Sequence, residues 1–179
     1  MNHLLSPPIL VVLAAALVAA VTDIRQFKIH NVLTLPLIAT GLAYHAVFLG
    51  WDGLLQSCAG ACVGALVPFI LYILGGMGAG DVKLLAGIGA WVGGPAAAFI
   101  VAVSSIAAGV YALFLIVRYG RVRQTLTNFR VMFYQVRALS AHIGPEERTE
   151  SLVERPDVRT RLIPFGAMVA IAVIAWTLR

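Results

Sequence analysis

An all-α, polytopic bundle of about six membrane-spanning helices is the fold this sequence predicts, and three observations predict it. Apolar residues make up 60% of the 179 residues and charged residues only 12%, whereas soluble domains are near half apolar and a quarter charged. The mean hydropathy is +0.92. The charges are gathered into short links and one long polar segment, so the sequence between them reads as apolar runs of spanning length. A net charge of +5 would suggest nucleic acid in a soluble protein. Here the basic residues flank apolar spans, so orientation in the bilayer explains them and no nucleic-acid partner is expected.

The first span, Leu4 to Thr22, is rich in Leu, Val and Ala. No Lys or Arg precedes it, and Arg25 and Lys28 follow it, the reverse of a secretory signal; it is expected to remain as an anchor. Asn31 is placed to cap a second span, Val32 to Leu49, with Pro36 in the first turn, where a missing N–H does little harm. Gly50-Trp51-Asp52-Gly53 reads as a tight turn carrying an interfacial tryptophan. The third span, Leu54 to Leu74, carries Gly60 and Gly64, a small-xxx-small face suited to close helix contact. Cys58 and Cys62 lie on the same span. They read as small packing residues, since a thiol ligand pair would need partners that the sequence lacks.

A glycine-rich turn, Gly75 to Gly80, leads into a fourth span ending at Trp91 and closed by Gly93-Gly94-Pro95. About a dozen residues barely cross the hydrocarbon, so this helix must be sheltered by its neighbours. The fifth span is Ala96 to Val117, and the sixth is Leu162 to Leu178. Between them Val122, Leu126, Phe129, Phe133, Val136, Leu139 and Ile143 recur at helical spacing with arginines largely on other faces. This is a basic amphipathic helix, to lie on an anionic leaflet or pack on the underside of the bundle. Gly144 to Thr160 reads as a solvated loop. The expected organisation is one domain in three stretches. Residues 1–118 hold five spans, 119–160 the cytoplasmic helix and loop, and 161–179 the last span.

Starting the first span outside puts all but Arg179 of the 13 basic residues on one side. The positive-inside rule makes that side cytoplasmic and both termini periplasmic.

Asp23 and Asp81 are the acidic residues at inner ends of spans, and two crossings separate them, so both return to the same face. Each has an ordinary explanation. Asp23 could be an interfacial acid balanced by Arg25, although the carboxyl end of a helix disfavours a negative charge. Asp81 could be a helix N-cap after a glycine turn. Brought together, two carboxyls cannot easily both ionise. One keeps its proton while the other is charged, which gives an acid and a base that can polarise water for attack on a peptide carbonyl. Gly78 and Gly80 would let backbone approach an extended substrate closely. Lys83 could bias Asp81 but more readily meets lipid or packs. His3, His30, His45 and His142 are scattered and form no metal-binding or nucleophile-activating pair.

Gly78-Ala79-Gly80-Asp81 resembles the Gly-x-Gly-Asp signature of membrane aspartyl proteases, and the layout is similar to the type IV prepilin peptidases. In that family an aspartate closes span one and an Ile-Pro-Asn/Asp element opens span two. Here Asp23 is followed by Ile29-His30-Asn31, with His30 in place of the proline. Ile163-Pro164-Phe165-Gly166 resembles the family's Pro-[Phe/Tyr]-Gly element. The resemblance implies that Asp23 and Asp81 are catalytic. It implies a GxGD protease-like fold in the bacterial inner membrane and a prepilin substrate, cut after a short basic leader at the cytoplasmic face. The larger members carry two Cys-x-x-Cys pairs after span one, associated with zinc and N-methylation. This chain reaches span two in about eight residues and resembles the short leader peptidases of Flp/Tad-type pilus systems (the CpaA/TadV group). That implies cleavage without methylation and no cofactor or metal. The competing readings are a non-catalytic membrane subunit of a pilus or secretion assembly, and a small proton-coupled transporter subunit.

Overall fold

The computed structural model describes residues 6–26, 29–73, 77–119 and 164–179. They form five helices: α1 (Pro7–Gln26), α2 (Asn31–Ile73), α3 (Ala79–Val92), α4 (Gly94–Tyr119) and α5 (Phe165–Thr177). Apart from Tyr119, which ends α4, the amphipathic helix and polar loop expected over 119–160 lie outside the described residues. The chain divides into two compact units, one of Met1–Val110 with Pro164–Arg179 and one of Tyr111–Ile163. All the packing described below is within the first.

α1, α2 and α4 are long and apolar enough to cross a membrane. α2 is two helices joined at a sharp break. Gly50 takes φ 67° and ψ −149°, a backbone that a residue with a β-carbon rarely adopts. The expected four-residue turn is therefore a break at one residue, and Trp51 to Gly53 already belong to the second half. With α2 counted as two, the described helices match the six expected spans.

α3 lies between the two halves of α2. Along the first half, Gly80 packs on Ile29, Gly87 on Leu37, and Gly41 on Ala90 and Trp91. The two helices thus run in the same direction. Along the second half the order reverses: Gly60 meets Gly89, and Gly64 meets the carbonyl of Leu85. The halves of α2 are therefore antiparallel and grip α3 from two sides. Glycine permits this because the hydrophobic effect gives little drive between helices in lipid, so close backbone approach and hydrogen bonds must hold them. Two such bonds are buried. Ser57 Oγ donates to the Ala90 carbonyl at 2.7 Å, and Trp91 Nε1 donates to the Leu37 carbonyl at 3.0 Å. At 14 residues α3 rises about 21 Å, short of the roughly 30 Å of hydrocarbon. Leu84, Leu85, Ile88 and Ala90 are nevertheless fully or almost fully buried, so the expected shelter is supplied by α2.

α1 turns a stripe of small residues inward. Val12, Ala15, Ala16, Ala19 and Ala20 are buried, and Asp23 continues the stripe one turn later. α5 is packed along this face, with Val169, Ala172 and Val173 fully buried and its start lying against Ala19.

Three further expectations are corrected. Asn31 does not cap α2. The first helical amides, of Leu33 and Thr34, donate to the His30 carbonyl, and Asn31 Oδ1 accepts from Lys83 Nζ at 2.9 Å. The sixth helix is shorter than the span from Leu162 to Leu178: α5 begins after Pro164, whose ring suits a helix start and not its interior. Cys58 and Cys62 are exposed free thiols, because the packed face of that helix runs through Ser57, Gly60 and Gly64.

Candidate active site

Asp23 lies in the last turn of α1, and Asp81 lies in the first turn of α3. The helix macrodipole would not favour an acid where Asp23 stands. A carboxylate near the carboxyl end of its helix meets the negative end of the macrodipole. The structure supplies the counterweight from another helix. Asp23 is buried, at 7% exposure, and its Oδ2 accepts the Gly166 N–H at 2.7 Å. That amide belongs to the first turn of α5, where backbone donors lack an intrahelical acceptor and negative charge is favoured. Asp23 therefore has a backbone amide as its partner. Arg25, the neighbour expected to balance it, is exposed.

Asp81 is not the N-cap of α3. Gly78 occupies that position, and Asp81, three residues on, reaches back so that its Oδ2 accepts the Gly78 N–H at 3.2 Å. This is the acidic half of a capping box, and it draws the carboxyl toward the turn. The two glycines of the motif differ in their surroundings. A β-carbon on Gly80 would lie 2.9 Å from the Ile29 carbonyl oxygen, so its bare α-carbon admits the chain just before α2. Gly78 is exposed, and among the described residues a β-carbon there would meet only the Asp81 carboxyl, Oδ2 at 3.1 Å. Of the two glycines, Gly78 is the exposed one, while Ile29 fills the space beside Gly80.

α1 and α3 are in contact, and Gly80, beside Asp81, packs on Ile29 just past the end of α1 that carries Asp23. The two acids, each at a helix end, are thus brought to one end of the first unit. Lys83 points to Asn31 rather than to either carboxyl, which keeps it in a packing role. His30 is exposed and His45 is buried against the Gly41 carbonyl. Among the described residues no group of three or more His, Cys, Asp or Glu is placed to hold a metal ion. Two carboxyls held by different helices can share a proton and polarise a water between them, without a third catalytic side chain.

The residue that the sequence left without a role is Gly166. Its one signal is the Pro-x-Gly opening of the last helix. A glycine two residues after a proline that starts a helix marks a close approach, but nothing local says to what.

Residues 10–113 match the model of the family described as "Type IV leader peptidase family". The chain is 36% identical over 101 residues to a prepilin leader peptidase/N-methyltransferase of Aeromonas salmonicida, covering 52% of this chain and 34% of that protein. It is 37% identical over 91 residues to a protein of the same name from Aeromonas hydrophila, covering 47% of this chain and 31% of that protein. The matching stretches thus span about a third of the length of these curated relatives. No solved structure matches the chain.

Proposed function

The chain belongs to the type IV leader peptidase family, and from that premise we propose that it is a membrane-embedded aspartyl endopeptidase that removes the leader of type IV or Flp-type prepilins. The observation that carries this reading is the packing that puts Asp23 and Asp81 on neighbouring helix ends: α1 and α3 are in contact, and Gly80, beside Asp81, packs on Ile29 just past the end of α1. In the proposed reaction the two carboxyls share one proton and bind one water. The charged carboxylate takes a proton from that water as its oxygen attacks the scissile carbonyl. The protonated carboxyl then donates to the leaving nitrogen, and the pair titrates as one unit.

The substrate is an extended leader joined to a hydrophobic helix, entering beside exposed Gly78. Positive-inside orientation supports cleavage at the cytoplasmic face of the bacterial inner membrane, with α1 starting in the periplasm. The basic surface on that face suits anionic lipid; it would repel a basic leader. N-methylation is not part of the proposal. The link from Asp23 to α2 is too short to carry a cysteine-bearing segment, and Cys58 and Cys62, the only cysteines in the sequence, point outward from α2.

The test is co-expression with small prepilins, following the pilin mass in wild type and in Asp23→Asn and Asp81→Asn. Loss of the leader in wild type only, with no added methyl group and both variants still membrane-inserted, is the expected result. Processing that survives either substitution would point to a non-catalytic assembly subunit. Ion flux lost with processing untouched would point to a transporter.

A further inference from the structure

In the peptidase reading, Asp23 must offer an oxygen to the shared water in a fixed direction. We propose that Gly166 is a positioning residue for Asp23: its backbone N–H holds Oδ2, and this turns Oδ1 toward the water. The inference rests on the proposed peptidase function and adds to it the last helix of the chain.

The contact has the marks of a specific tie. At 2.7 Å it has the length of a charge-assisted hydrogen bond, and it is buried. The amide is the second of α5, where no intrahelical carbonyl can accept it. The N-cap of α5 is Pro164, which makes no side-chain cap hydrogen bond. Asp23 thus supplies from α1 the cap that the local sequence lacks. Glycine is needed for this approach. A β-carbon at position 166 would lie 3.0 Å from the Ala19 carbonyl oxygen and 3.1 Å from Asp23 Cβ, so the start of α5 and α1 would have to part by a few tenths of an ångström, enough to loosen the tie.

Asp81 is held in the same way. Its Oδ2 accepts the Gly78 N–H at the start of α3. Each carboxyl is therefore tied through Oδ2 by a glycine amide at a helix start, and among the described residues Oδ1 of each accepts no hydrogen bond. Such a tie removes the rotation of the carboxyl plane that would otherwise scatter the attack geometry.

Two measurements on the full chain in lipid nanodiscs test this. The first follows hydrogen exchange at the Gly166 amide by NMR in wild type and Asp23→Ala. A hydrogen bond to a charged group predicts exchange faster by about tenfold or more in the variant, and an unchanged rate overturns the tie. The second measures kcat and KM for a prepilin with Gly166→Ala, against Gly109→Ala, where the added methyl meets no described residue within 4 Å. The expected result at Gly166 is a kcat lower by about tenfold or more with KM held within about twofold, while Gly109→Ala matches wild type. Wild-type kcat in Gly166→Ala, or a change confined to KM, overturns the positioning role. Should Gly166→Ala fail to accumulate, the exchange measurement alone decides for or against the tie. A wild-type chain that cleaves no prepilin, yet loses Gly166 protection in Asp23→Ala, sinks the peptidase reading and leaves the contact. Exchange indifferent to Asp23 in a chain that does cleave sinks the contact alone.

Discussion

Gly60 and Gly89 meet backbone to backbone where the second half of α2 crosses α3. A β-carbon on either would collide with the carbonyl oxygen of the other. Backbone atoms cannot swing aside as a flexible side chain can, so the separation of these helices is set by the absence of two methyl groups.

Gly60→Ala and Gly89→Ala should each destabilise the fold by about 1–3 kcal/mol, the usual cost of overpacking. Gly109→Ala, on an open face of α4, should be neutral or stabilising by about 0.5–1 kcal/mol, because alanine is the better helix former. Reversible unfolding in mixed detergent micelles measures all three. A Gly60→Ala midpoint equal to wild type would refute the contact.

Asp23→Asn, Asp81→Asn and the double variant should be equally inactive on a prepilin. Groups that act on one water as a unit show strongly non-additive losses. Single-turnover cleavage of the three variants checks this. A double variant slower than either single by the product of their separate effects would mean that the carboxyls work independently.

Ser57→Ala should cost about 0.5–1.5 kcal/mol, since it removes a buried 2.7 Å hydrogen bond to the Ala90 carbonyl and leaves that oxygen with one acceptor site unused. Trp91→Phe removes the corresponding bond to Leu37 and should cost a similar amount. The two bonds grip α3 from opposite halves of α2, so their losses should add to within about 0.5 kcal/mol. Unfolding of the singles and the double reads this directly.

Cys58 and Cys62 should react with a membrane-soluble maleimide in intact vesicles and resist a charged, impermeant one. They are exposed on an apolar helix whose outward side faces lipid. Mass spectrometry after each treatment gives the answer, and labelling by the charged reagent alone would contradict the placement.

Much of this architecture was legible because membrane helices advertise themselves. The break near Gly50 was visible as a turn between apolar runs, and Gly60 and Gly64 as a face for close contact, whereas the sixth helix was expected to start before Pro164. Asp23 and Asp81 could be put on the same side by counting crossings. Periodicity, however, says which face of a helix is small without saying which neighbour receives it. Cys58 and Cys62 are small too, and only the position of α3 shows that they lie off the packed face. Asn31 had the composition of a cap, but Lys83, brought alongside it on α3, took its oxygen. The tie of Asp23 to Gly166 links residues 143 apart in sequence, and no local pattern encodes a pairing at that distance.

That separation also orders events in time. A chain made and inserted from its amino terminus delivers Asp23 and Asp81 to the bilayer well before Gly166 exists. Until α5 arrives, Asp23 closes α1 with no donor from that helix and with the dipole against its charge. On the proposed function, both acids reach the bilayer before the amide that orients one of them, so the Asp23 carboxyl takes its fixed direction only once α5 has been made and has docked.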